Sequence, residues 1–229
     1  MYARDVQGRT LTFGVSGKLV RNSLIMFDRE TGSLWSHLTG TAIAGPLSGQ
    51  PLTMLPSTQT TWGLWHRDHP NAQVLAVRPG ELHDPYAGYY QSGDTGITSR
   101  KHQDNRLPAK ERVIGVRLGA EIKAYSFAAL ARARVVDDTV GGTPLVIVFD
   151  GSSESGAAYR RDSTGQALDF QPGARPLSMT DTQTGSEWDG LAGTATYGPS
   201  AGAVLVAVPF TYSFWFGWAD FYPNTAVYK

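Results

Sequence analysis

The sequence predicts a mainly β protein: two homologous antiparallel modules related by a pseudo-twofold axis, with a few short helices. Three observations carry that expectation. One block of the chain recurs at a constant offset, its short apolar runs are rich in β-branched and aromatic residues, and Gly, Pro, Asp and Asn punctuate those runs as tight turns require.

Residues 24–75 align without a gap with residues 177–228, an offset of 153, as from Asp28 to Asp181. Asp28, Thr31, Gly32, Ser33 and Trp35 meet Asp181, Thr184, Gly185, Ser186 and Trp188. Gly40-Thr41-Ala42 meets Gly193-Thr194-Ala195, and Trp62, Trp65 and Pro70-Asn71 meet Trp215, Trp218 and Pro223-Asn224. Upstream the match resumes after a short deletion in the second copy, with Tyr2, Leu11 and Phe13 facing Tyr159, Leu168 and Phe170. The shared positions are turn formers and large aromatics, which fix chain reversals and fill cores, so the repeat reads as a folding unit. The expected division is a first module over 1–75, an insert over 76–142 and a second module over 143–229.

Within one module, Leu11 to Val15 and Leu24 to Asp28 read as strands. Asp28-Arg29-Glu30-Thr31-Gly32 follows as a tight turn, with the Asp accepting turn amides and the Gly taking positive φ. The strand Ser33 to His37 returns. Ala42 to Ala44 and Pro51 to Leu55 flank a second turn at Gly45-Pro46. Thr60-Thr61 caps a short helix through Trp62, Trp65 and His69 that Pro70 ends, and the Trp face of that helix is expected to plug the sheet. In the insert, 79–108 reads as a long loop. Strands are expected at Val113 to Leu118 and Glu121 to Tyr125, then a Ser-capped helix from Ser126 to Arg134, and strands again at Val135-Val136 and Pro144 to Phe149. That last strand opens the second module, and its equivalent in the first would lie before Met1.

The balance of charge, 20 basic against 20 acidic residues, creates no field that would draw in nucleic acid or an anionic membrane. With no cysteine there is no disulfide, thiolate metal site or cysteine nucleophile. The most apolar stretch, from Ala203 to Tyr222, contains Pro209, Thr211, Ser213 and Asp220, and reads as core in place of a membrane span.

Taken together, Thr12 to Gly17, Asp28 to Trp35, Gly40 to Leu52, His69-Pro70, Pro108 to Val116 and Ala124 to Phe127 resemble the DUF3179 family, a bacterial and archaeal family of unknown function. The resemblance covers nearly the whole chain. It implies an extracytoplasmic setting, since members often carry export or lipoprotein signals. A Cys-Pro-Leu-Cys-like strand that often begins this region in the family is missing from this sequence, and with it any site built on those cysteines.

Two clusters are candidates for chemistry. His66 and His69 lie three apart on the expected helix and could share copper or zinc, with Met26, Met54 or His37 as a third ligand; no cofactor is otherwise expected. Tyr86, Tyr89, Arg100, Lys110 and Arg112, in and after the long loop, could form a sugar or anion site, because aromatic faces stack on sugars and Arg or Lys binds carboxylates. Hydrolase chemistry finds little support: Gly14-Val15-Ser16-Gly17 falls one residue short of a nucleophile elbow, and Glu30, Asp181, Glu187 and Asp189 sit on turn positions. The expectation is a non-catalytic extracytoplasmic binding or assembly module, with a homo-oligomer or protein partner; a metal or redox protein and an unrecognised hydrolase are the alternatives.

Overall fold

The computed structural model describes residues 1–76, 78, 84–96, 102–162 and 165–229. The chain opens with a hairpin of β1 (Asp5–Val6) and β2 (Arg9–Thr10), followed by an antiparallel sheet in chain order: β3 (Phe13–Val20), β4 (Ser23–Asp28), β5 (Leu34–Ser36) and β6 (Ala42–Ala44). Helix α1 (Trp62–Asp68) starts at Thr61, whose hydroxyl accepts the Leu64 N–H at 3.3 Å. The segment expected as a long loop contains a short helix, α2 (Ala87–Gln91), led in by Asp84, whose carboxylate accepts the Tyr86 N–H at 2.8 Å.

The hairpin of β7 (Arg112–Leu118) and β8 (Glu121–Ser126) comes next, then α3 (Phe127–Ala133), started as expected by the Ser126 hydroxyl accepting the Ala129 N–H at 3.1 Å. Strands β9 (Val135–Val140), β10 (Thr143–Asp150) and β11 (Ser155–Arg160) form an antiparallel meander. A second four-stranded sheet follows in chain order: β12 (Phe170–Pro172), β13 (Ser178–Asp181), β14 (Glu187–Asp189) and β15 (Thr194–Tyr197). The chain ends in β16 (Phe210–Phe214), α4 (Trp215–Phe221) and β17 (Ala226–Tyr228). β16 pairs antiparallel with β7 and β17 pairs with β8 in parallel, because α4 carries the chain across the hairpin and returns it in the same direction.

Three of these sheets stack as layers, with β9–β10–β11 in the middle, while β3–β6 closes on a separate core of Val6, Leu11, Trp35, Ala42 and Leu52. The inward side chains Val136, Leu145, Ile147, Phe149 and Ala158 meet Ile114, Val116, Tyr125 and Phe210 of the β16–β7–β8–β17 sheet, with Leu130 of α3 alongside. On the opposite face, Val135, Val146, Val148 and Ala157 meet Phe170, Met179 and Trp188 of the β12–β15 sheet. Strand periodicity explains the split: odd-numbered positions of β10 face one way and even-numbered ones the other, and both faces are buried. On the far side of the β7–β8 hairpin, Trp215, Trp218 and Ala219 of α4 cover Val113 and Ala124. Gly115 is obligatory there, since a Cβ would run into the Trp218 ring.

A carboxylate–indole clasp fastens each of the two sheets that run in chain order, β3–β6 and β12–β15. Asp28 accepts the Trp35 indole N–H at 2.8 Å and the Thr31 N–H at 2.6 Å. At positions 153 further on, as the sequence numbering gives it, Asp181 accepts the Trp188 indole at 2.9 Å and the Thr184 N–H at 2.6 Å. Phe13 stands edge-on to Trp35 at 5.7 Å, and Phe170 to Trp188 at 5.6 Å. The hydroxyl of Tyr2 donates to the Leu38 carbonyl and that of Tyr159 to the Leu191 carbonyl. Their rings press on Gly40 and Gly193, both at positive φ, where no side chain fits. Burial opposes ionisation of both aspartates. The hydrogen bonds from indole, Thr and backbone N–H groups nevertheless hold their carboxyls below the usual carboxylate range.

The two tryptophan helices part company here. Trp215 and Trp218 are fully buried, whereas Trp62 and Trp65 are each 41% exposed, so the expectation that the Trp face of α1 plugs a sheet is corrected. Gln59, which precedes α1, bridges to Gly156 of β11, as β16 pairs with β7 before α4. The outer face of β9–β11 that α1 would need to cover is already filled by β12–β15, and β9 occupies the edge of β10. Only Leu64 of α1 reaches the core beside it.

Truncating Trp218 to Ala is accordingly expected to cost about 3–5 kcal/mol in chemical denaturation, against less than about 1 kcal/mol for Trp65→Ala. Equal costs would contradict the layer order. The clasps also set an acid response. Their stabilisation is complete above the unfolded carboxylate value of about 3.9 and is lost as pH falls through the depressed folded values. Melting temperatures measured from about pH 5 down to about pH 2 should therefore fall less steeply for Asp28→Asn/Asp181→Asn than for the wild type.

Candidate functional site

The two facing sheets open at one end of the central core. β7 and β11 begin there, β8, β10 and β16 finish there, and α3 starts there. Phe210, Tyr212 and Phe214 alternate along β16 and so share one face, running from the buried core out to the mouth. Phe127, the first residue of α3, stands edge-on to Tyr212 at 5.6 Å and tilts against Phe149 at 4.6 Å. Tyr90 of α2 leans on Phe214 at 6.4 Å from the other side. Tyr90, Phe127, Tyr212 and Phe214 line a cleft of about 570 Å³ whose rim carries Gln59, Lys110, Arg112 and Ser213.

The charged groups of the rim are already engaged. The Lys110 ammonium donates to the carbonyl of Tyr89 and, at 2.7 Å, to that of Ser92, and lies 3.8 Å from the centre of the Tyr89 ring. It therefore fastens the C-terminal end of α2, where unpaired carbonyls attract a cation. Arg112 donates from both terminal nitrogens to the two carboxylate oxygens of Glu154 and lies over the Phe127 ring at 5.4 Å. The Tyr212 hydroxyl donates to the Gly156 carbonyl at 3.2 Å, and burial pushes its pKa up, so the phenol stays a neutral donor. The approach to Lys110 is pinned by Arg106, which donates to the carbonyls of Thr225 and Pro223 and lies 5.0 Å over Trp215.

Of the residues singled out for ligand binding, Lys110 and Arg112 reach this cleft. Tyr89 sits beneath Lys110 as its partner, and Tyr86 is exposed and outside the lining. Arg100 lies outside the described residues. Tyr90, Phe127, Tyr212, Phe214 and Glu154 were not singled out; the alternation of aromatics in β16 was the available signal for two of them. His66 and His69 each pack on the tryptophan four residues back, at ring distances of 5.1 and 3.8 Å, and His69 Nδ1 lies 3.2 Å from the Trp65 carbonyl. Among the described residues no group of three or more His, Cys, Asp or Glu side chains is placed to hold a metal ion.

Replacing Lys110 with Met should release α2 without unfolding the protein. Amide hydrogen exchange at Tyr89 to Ser92 is expected to accelerate while global stability falls by no more than about 1 kcal/mol. Unchanged exchange there would mean that the ammonium does not hold the helix.

No helix among the described residues is long and apolar enough to cross a membrane. Comparison with curated proteins and with solved structures finds no match. One family model, described as "Protein of unknown function (DUF3179)", matches residues 1–225 and so carries the motifs of both clasped sheets and the cleft. The chain belongs to the DUF3179 family.

Proposed function

We propose that this protein is a non-catalytic binding module, working outside the cytoplasm, that seats a small ligand in the aromatic cleft at the open end of its central core. The observation that carries this reading is the convergence of Tyr90, Phe127, Tyr212 and Phe214, from α2, α3 and β16, on one cavity of ligand size. The engagement of the cleft's cations supports binding over catalysis: the Lys110 ammonium donates to carbonyls and Arg112 is paired with Glu154. A low charged fraction of 17% and family membership support the extracytoplasmic setting.

In this reading the two clasped sheets descend from one doubled unit. The constant offset, the matching Asp–Trp, Tyr–carbonyl and Phe–Trp contacts and the equal strand order support it. After doubling, one copy kept its helix on a sheet while the other left its helix outside, and the cleft formed where the insert meets β16.

Ligand-observed NMR with a library of small polar and aromatic compounds tests the binding site. Compounds that bind the wild type are expected to lose their signal with Tyr90→Ala and with Phe214→Ala, both folded by circular dichroism. Binding that survives both substitutions would place the site elsewhere and end this reading.

A further inference from the structure

The aromatic cleft does not end at Phe127. A second cleft of about 320 Å³ adjoins it, sharing Lys110, Arg112 and Phe127 and continuing past Glu154 to Gly151 and Phe149. The two meet along Lys110, Arg112 and Phe127, which line both, as one trough. Resting on the binding reading above, we infer that the trough takes a neutral oligosaccharide, its sugar rings stacked on Tyr90 and Tyr212 and its hydroxyls bonded by the Arg112–Glu154 pair.

The charged groups that line the trough balance, Lys110 and Arg112 against Glu111 and Glu154, so no net charge calls for an anion. Arg112 is neutralised by a two-pronged carboxylate, and Lys110 is turned away onto the carbonyls of α2. An acidic ligand would have to break one of these contacts, drawing Arg112 from Glu154 or Lys110 from the carbonyls of Tyr89 and Ser92. A wholly apolar ligand fits no better. It would cover the Gln59 amide, the Tyr90 hydroxyl, the remaining guanidinium N–H groups and the free lone pairs of Glu154 without replacing their water. A sugar ring answers both demands, because one face is apolar C–H and its edge alternates groups that donate and accept. The planar Arg112–Glu154 pair offers donors and acceptors side by side, the pattern that adjacent ring hydroxyls match.

Isothermal titration of the intact protein tests this, with cellohexaose, maltohexaose and N-acetylchitohexaose as neutral probes, tetragalacturonate as the acidic one and 4-phenylbutyrate as the aromatic acid. At least one neutral probe is expected to bind, with an affinity that changes by less than about twofold between roughly 50 and 500 mM salt, since no net charge is neutralised. Tyr90→Ala, at an exposed position, should weaken that affinity about tenfold. Glu154→Gln frees the guanidinium and should weaken the neutral probe while admitting tetragalacturonate. Failure of all neutral probes overturns the inference. If library compounds that depend on Tyr90 and Phe214 still bind, the cleft stands as a binding site for another chemistry; if none do, both readings fall. Preference of the wild type for tetragalacturonate or phenylbutyrate, lost in Tyr90→Ala, would likewise overturn the neutral-sugar assignment while keeping the cleft.

Discussion

Burial of β9–β10–β11 on both faces organises the layers that follow α1. Leu145, Ile147 and Phe149 point one way from β10 and Val146 and Val148 the other, and each is buried. A strand apolar on both sides must be covered twice, at about 1.5–3 kcal/mol for each large side chain removed from water. The β16–β7–β8–β17 sheet supplies one cover and the clasped β12–β15 sheet the other. With both faces taken, α1 has no sheet to lie on, and its tryptophans stay at the surface. Where the inner cover and the central sheet diverge, the core opens as the aromatic cleft.

Local chemistry was legible in the sequence to the degree that it depends on neighbours in the chain. An Asp that opens a tight turn closed by Gly dictates a carboxylate that takes turn amides, and Asp28 and Asp181 both do so; their bonds to the Trp35 and Trp188 indoles are what the structure adds. The Ser126 and Thr61 caps and the strands of the insert follow from equally local rules. Burial of the Trp62 and Trp65 face did not follow. Sequence equivalence to Trp215 and Trp218 carries over helix and spacing but says nothing of which sheet face is vacant, and that is decided by β12–β15 more than 100 residues away.

The site was half legible for the same reason. Lys110 and Arg112 stand out as bases beside a Tyr-rich loop, and both reach the cleft, but their partners decide what they do there. Glu154 sits in the turn before β11, and only folding brings it to Arg112. Phe127 reads in sequence as the first apolar residue of a helix, and Tyr212 as part of an apolar stretch; their meeting depends on β7 pairing with β16. A constellation drawn from four separate elements leaves no spacing to read.

The way α2 is held bears on whether the cleft is a by-product of imperfect packing. The helix has five residues and buries none of them, so neither propensity nor core contact would keep it in place. What fixes it is the Lys110 ammonium on the carbonyls of Tyr89 and Ser92, with the Tyr89 ring beneath. That arrangement adds nothing to either core, yet it sets Tyr90 against Phe214 at the rim. Filling the mouth with one more apolar side chain from β16 or α3 would stabilise the fold more directly than pinning a surface helix beside exposed rings. The binding role proposed above accounts for that arrangement: a ring held at the edge of the opening, on a helix fastened by a charge, is a surface prepared for a ligand.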